Sequence, residues 1–268
     1  MDSCSVLRLP GTERGRNKMR PYAPIVLADG KAKPNVTILK PKSMLTRLLT
    51  SLRRRRMKLV KPFGGHLSAD RLRVSLCDTN GQITDAWLDS FYEVEAVEIV
   101  QGDLLDLDTD ALVSPANSFG DMSGGIDKRI DDFYRGVAQQ ALTERIRSEF
   151  YGELPVGMAM VVPMRSKRFP WLIAAPTMRT PGSVAQSLHA YLAMRAVGVA
   201  ILRHNRQTAE PIRSVAVFGL CTGVGGMAYG EAARQMRAAY DNIIGGGWEQ
   251  VIHPALAPLA FCSKRTDL

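Results

Sequence analysis

QGDLLDLDTDALVSPANSFGDMSGGIDKRI, residues 101–130, is the stretch on which the fold turns. An acidic residue, Asp103, follows a β-branched run, and a short apolar run at 111–114 reads as a buried strand. One loop then carries Asn117, the pair Gly124–Gly125 and Asp127. About a hundred residues on, Gly219-Leu-Cys-Thr-Gly-Val-Gly-Gly226 repeats the arrangement, with glycines between an apolar run and a helical pattern. Two glycine loops, each after a strand and before a helix, can hold a diphosphate between them, because backbone N–H groups point outward there.

The surrounding pattern is regular from residue 72. Strands are predicted at 72–77, 97–100, 111–114, 157–162, 171–175 and 214–218. Helices are predicted at 83–92, 127–150, 183–205 and 231–243. Thr79 is a candidate cap for the first helix, whose Trp87 and Phe91 share a face, and Ser183 is one for the third. Strands alternating with helices indicate an α/β domain with a mixed, mostly parallel sheet. The 157–162 and 171–175 strands are joined by a turn around 167–170, so that pair is antiparallel.

Ligands of open α/β sheets collect at the carboxyl ends of strands, where these loops lie. Asp103 there would accept from the exocyclic amine of a base, or cap a short turn at 104–108. Asn117 offers donors and an acceptor for ribose hydroxyls, or forms a turn. Gly124 and Gly125 let backbone approach a ligand. Asp127 either caps a helix or orients and deprotonates a water. Thr222 adds a hydroxyl to the second loop, which lacks the Lys of an NTPase P-loop and the GxGxxG spacing of dinucleotide dehydrogenases. Thr177 and Arg179, after another strand, are further candidates for the cleft, or simply polar loop residues.

Gly102-Asp103-Leu104, Ala111-Leu-Val-Ser-Pro-Ala-Asn117, Ser123-Gly-Gly-Ile-Asp127 and Gly219-Leu-Cys-Thr-Gly-Val-Gly-Gly226 together resemble the macro domain family, over roughly residues 72–244. The resemblance implies a three-layer α/β/α fold whose cleft binds ADP-ribose. By that match Asp103, with Leu104 beside it, holds the adenine amino group. Ser123, Gly124, Gly125 and Ile126, with Leu220, Thr222, Gly223, Val224, Gly225 and Gly226, wrap the diphosphate. Asn117 and Asp127 face the distal ribose, where hydrolytic members cleave ADP-ribose from a modified group. Three departures stand out. The family's frequent Asn-Ala-Ala-Asn is Ser114-Pro-Ala-Asn117, its glycine triplet is Ser123-Gly-Gly, and Lys128, Arg129 and Ile130 stand where many hydrolytic members carry a His. The implied function is removal of ADP-ribose from a mono-ADP-ribosylated substrate or ADP-ribose derivative, without a cofactor. The alternative is a binding module that reads the nucleotide without turnover.

The net charge of +9 invites a nucleic-acid reading, but residues 1–66 hold 16 of the 35 Lys/Arg and 3 of the 26 Asp/Glu, a net of +13. The remainder holds 19 basic and 23 acidic residues, a net of −4. The expected division is therefore a disordered basic tail, 1–70, and a folded domain, 71–262. Within the tail, residues 44–56 place Met44, Leu45, Leu48, Leu49 and Leu52 at helical spacing ahead of four arginines. That piece reads as an amphipathic helix for an anionic partner or surface, a nuclear signal, an organelle transit segment, or solvated tail. Met57 is a plausible alternative start. No apolar run approaches the ~20 residues of a membrane span. Cys4, Cys77, Cys221 and Cys262 are widely spaced and the four histidines stand singly, so neither a metal site nor a disulfide framework is expected, and the default setting is intracellular. Cys221, inside the second glycine loop, is either a reactive thiol or a small residue filling a tight turn.

Overall fold

A computed structural model of the chain describes residues 36–39 and 72–250. Seven strands form one sheet: β1 (Val36–Ile38), β2 (Arg73–Asp78), β3 (Val97–Gly102), β4 (Ala111–Ser114), β5 (Met160–Pro163), β6 (Trp171–Ala174) and β7 (Ser214–Val217). Their spatial order is β1-β3-β2-β7-β4-β6-β5. The five inner strands run parallel, and the two outer pairs, β1 with β3 and β5 with β6, are antiparallel. This is the mixed, mostly parallel sheet expected. The short link 164–170 cannot carry a crossover, which forces β5 and β6 antiparallel.

The central strands are buried on both faces, and alternate residues feed separate cores. Leu76, Val113, Ile173, Val215 and Val217 face one layer of helices, α1 (Gly81–Phe91), α4 (His189–Gln207) and α5 (Tyr229–Ile243). Cys77, Leu112, Leu172 and Ala216 face the other, α2 (Gly125–Phe133) and α3 (Val137–Phe150). Each helix buries one stripe: Ile83, Trp87 and Phe91 on α1, and Ala138, Leu142 and Ile146 on α3. The result is three layers, α/β/α. At about 25 cal/mol per Å² these side chains supply most of the drive to fold.

Four local expectations need correction. The single helix over 127–150 is two, because Arg135 (φ 58°) and Gly136 (φ 79°) adopt left-handed conformations between α2 and α3. The α1 cap is Asn80, not Thr79; its side chain accepts from the Gln82 N–H. The helix expected from Ser183 begins at His189, since Val184 N–H is drawn to Gly225 O (2.8 Å) and the Ser187 hydroxyl accepts from His189 N–H (3.2 Å). Val36–Ile38, within the stretch read as tail, pairs with β3 in the register Val36↔Gly102 to Ile38↔Val100. The helix expected at 44–56 lies outside the described residues. Among the described residues no helix is long and apolar enough to cross a membrane.

Candidate functional site

The parallel strands β3, β2, β7, β4 and β6 end along one edge of the sheet, and every loop singled out from the sequence leaves that edge. β7 and β4 are neighbours (Ala111↔Val215), so the two glycine loops leave adjacent strands. Asp78, at the end of β2, ties the edge together: it accepts from Asn80 N–H (2.9 Å) and from Gly219 N–H (3.3 Å) at the root of the second loop.

The second loop is wound tightly on itself. Thr222 Oγ1 donates to Gly219 O (2.8 Å), and Gly226 N–H and Met227 N–H donate to Gly223 O and Cys221 O (3.0 Å each). The N–H groups of Gly223, Val224 and Gly225 then have no protein acceptor among the described residues, while the Val224 side chain is 70 % exposed. Successive backbone N–H groups without a protein acceptor are the kind of donor run that suits an anion. Gly225 permits this path, since a Cβ there would lie 2.6 Å from Cys221 O and 2.8 Å from Val184 Cγ2. The Thr222 hydroxyl spends its proton inside the loop, so it shapes the loop and has none left to donate to a phosphate. Leu220 is buried, as is Leu104 beyond β3, so both side chains belong to the cores and only their backbones can meet a ligand. Cys221 is buried with φ 66°, and burial pushes its thiol up to about 12, so it fills the turn rather than acting as a nucleophile.

The first loop ends at the start of α2, where the N–H groups of Gly124, Gly125 and Ile126 have no protein acceptor among the described residues, and Ser123 N–H is held by Asp121 (2.9 Å). A Cβ at Gly124 or Gly125 would meet only open space, and Gly125 has φ 56°. Asp127, one turn in, does not cap its own helix. It accepts from the Ser114 hydroxyl at the end of β4 (Oγ to Oδ1, 2.6 Å) and from Ala116 N–H. Burial pushes its carboxyl up to about 7 against the pull of these two hydrogen bonds, and the charge of Asp121 adds to the rise. Asp121 itself is held below the usual carboxylate range by hydrogen bonds from Ser123.

Asn117 forms the turn. Its Oδ1 accepts from Phe119 N–H (3.0 Å) and Asp121 N–H (3.3 Å), and its amide N–H donates to the Asp121 carboxylate, which staples the loop. Asp103 caps the short 3-10 helix Leu104–Asp106 through Leu105 N–H (3.0 Å), while its other oxygen is engaged by the Arg129 guanidinium of α2. The turn after β3 and helix α2 are thus linked by an ion pair that no sequence motif marks. Of the two residues after β6, Thr177 is buried and bonded to Pro115. Arg179 stands at the rim of the first loop, paired to Glu153 (2.8 Å) and lying over the Phe119 ring (5.3 Å). Ser114, Arg129 and Asp78 were missed. Only the placement of Ser114 and Asp78 at strand ends could have flagged two of them. No group of metal-ligating side chains occurs among the described residues.

The sequence model described as Macro domain matches residues 113–236. An uncharacterised protein of Aquifex aeolicus is 30 % identical over 140 residues, covering 52 % of this chain and 78 % of that one. Among solved structures, the macrodomain of Mycobacterium tuberculosis DarG is similar at 25 % identity and a TM-score of 0.45, over 53 % of this chain and 87 % of that one. An Oceanobacillus iheyensis macrodomain with ADP is similar at 23 % identity and a TM-score of 0.47, over 56 % and 76 %.

Proposed function

We propose that this chain, which belongs to the macro domain family, binds ADP-ribose across its two glycine loops and hydrolyses the bond joining ADP-ribose to a modified group. The observation that carries this reading is the pairing of two donor runs on adjacent strands, Gly223–Gly225 after β7 and Gly124–Ile126 after β4. A diphosphate offers acceptors on both sides and satisfies both runs at once. Asp103 lies two strands away from β7, which suits the adenine amino group, and Asn117 with Asp127 lies beyond the first run, which suits the distal ribose. In this reading Asp127 takes a proton from water as the water oxygen bonds to the anomeric carbon. The bond to the leaving group breaks, and the proton passes to that group. A carboxyl poised near neutrality suits both halves of the transfer.

A second reading, a module that binds without turnover, is favoured by the commitment of the Asn117 carbonyl to its own loop. Calorimetry and product release on the full chain separate the two. Micromolar ADP-ribose binding with release from mono-ADP-ribosylated protein or nucleic acid, and loss of release in Asp127→Ala with affinity kept within about tenfold (~1.4 kcal/mol), supports the enzyme. Binding without release from any such substrate supports the module. Absence of micromolar binding removes both.

A further inference from the structure

We propose that Ser114 is a positioning residue for the proposed hydrolysis: its hydroxyl aims the Asp127 carboxylate and supports the ionised form that takes the proton from water. Ser114 is fully buried as the last residue of β4, and β4 is held between β6 and β7 with Ser114 opposite Ala174. The sheet therefore sets where the hydroxyl stands. Its one proton goes to Asp127 Oδ1 (2.6 Å) and its oxygen accepts from Ala116 N–H (3.4 Å), so its hydrogen-bonding capacity is directed along one line. Asp127 sits on the first turn of α2, and the Ser114 hydroxyl is the side-chain donor that anchors it to the strand.

A hydroxyl donor favours the carboxylate over the acid, against burial and against the charge of Asp121, the one charged neighbour resolved as acting on it among the described residues. This is also a position at which the chain departs from Asn-Ala-Ala-Asn, and a serine there is short enough to stay within the strand while reaching the helix. The inference rests on the hydrolytic reading, so its test needs a measurement independent of turnover.

Ser114→Ala and Ser114→Thr are compared in the full chain by carbon-detected NMR titration of the Asp127 carboxyl and by the pH dependence of release. In Ser114→Ala the titration midpoint rises by about half a pH unit or more. The kcat falls about twofold or more at pH 7 and recovers towards pH 9, with KM within about threefold. Ser114→Thr, which keeps the hydroxyl, restores both. If alanine fails to fold, Ser114→Cys, a poor donor of similar size, takes its place. An unchanged midpoint, or a loss of kcat equal at every pH, overturns the proposal. If wild type releases nothing, the hydrolytic reading falls and, with it, the catalytic part of this inference. The NMR arm still decides whether Ser114 holds the carboxylate.

Discussion

Replacing Asp127 by Asn should stabilise the protein, and by an amount that grows with pH. The carboxyl moves from 3.8 to about 7 in the folded chain. Between those values the folded state binds more protons than the unfolded state, so this group makes stability fall as pH rises, with the full cost reached above about pH 7. At 1.36 kcal/mol per pH unit the difference between pH 5 and pH 8 is at most about 2.7 kcal/mol. Asp127 is only partly shielded at the mouth of the loop, so water recovers part of that, leaving about 1.5–2.7 kcal/mol. An Asn is isosteric and still accepts from the Ser114 hydroxyl, so packing changes little. For a domain of this size that free energy corresponds to about 3–10 °C. Thermal unfolding of wild type and Asp127→Asn at pH 5, 6, 7 and 8 measures it. The variant should gain steadily on wild type from pH 5 to 7 and level off by pH 8. A gap in melting temperature that is constant across the range would refute the reasoning.

Gly225→Ala should open the second loop, since its Cβ would press on Cys221 O. We expect ADP-ribose affinity to fall at least about tenfold and stability by about 1–3 kcal/mol, whereas Gly223→Ala, whose Cβ meets nothing within 4 Å, keeps the fold; calorimetry and melting curves compare the two. Arg129→Ala frees the second oxygen of Asp103 and should raise ADP-ribose affinity by up to about fivefold, the scale of an exposed ion pair, without changing affinity for ribose 5-phosphate; a fall would mean that Arg129 holds the ligand instead. Cys77 and Cys221 are buried with thiols pushed up to about 12, so a chain carrying Cys4→Ser and Cys262→Ser should resist a thiol reagent at neutral pH until denaturant is added. Fast labelling of the folded protein would contradict that.

The sheet was readable because its strands are short apolar runs between turn formers, and two-sided burial leaves such runs unbroken, as in Ala111–Ser114 and Ser214–Val217. The break between α2 and α3 was hidden by its own regularity. Ile130, Tyr134, Ala138, Leu142 and Ile146 recur every four residues in one core, so the apolar stripe keeps phase across the left-handed turn at Gly136. The start of α4 is hidden from the sequence because Val184 is claimed by Gly225, 41 positions further along the chain. The site divides in the same way. Glycines and strand ends can be read locally, but Ser114 meets Asp127 and Asp103 meets Arg129 only because of the route the first loop takes. The Thr222 hydroxyl shows the converse error, since a residue of suitable chemistry was consumed by its own turn.

β1 changes what a shortened chain would be. Val36–Ile38 supplies the backbone partners of Val100–Gly102, the segment of β3 that leads straight into Asp103. A protein started at Met57 would leave the N–H and C=O groups along that edge of β3 unmatched. An open strand edge recruits other strands, including those of a second copy. Such a truncation would replace a three-residue edge strand by the longer, six-residue edge of β3, beside the loop expected to receive the adenine.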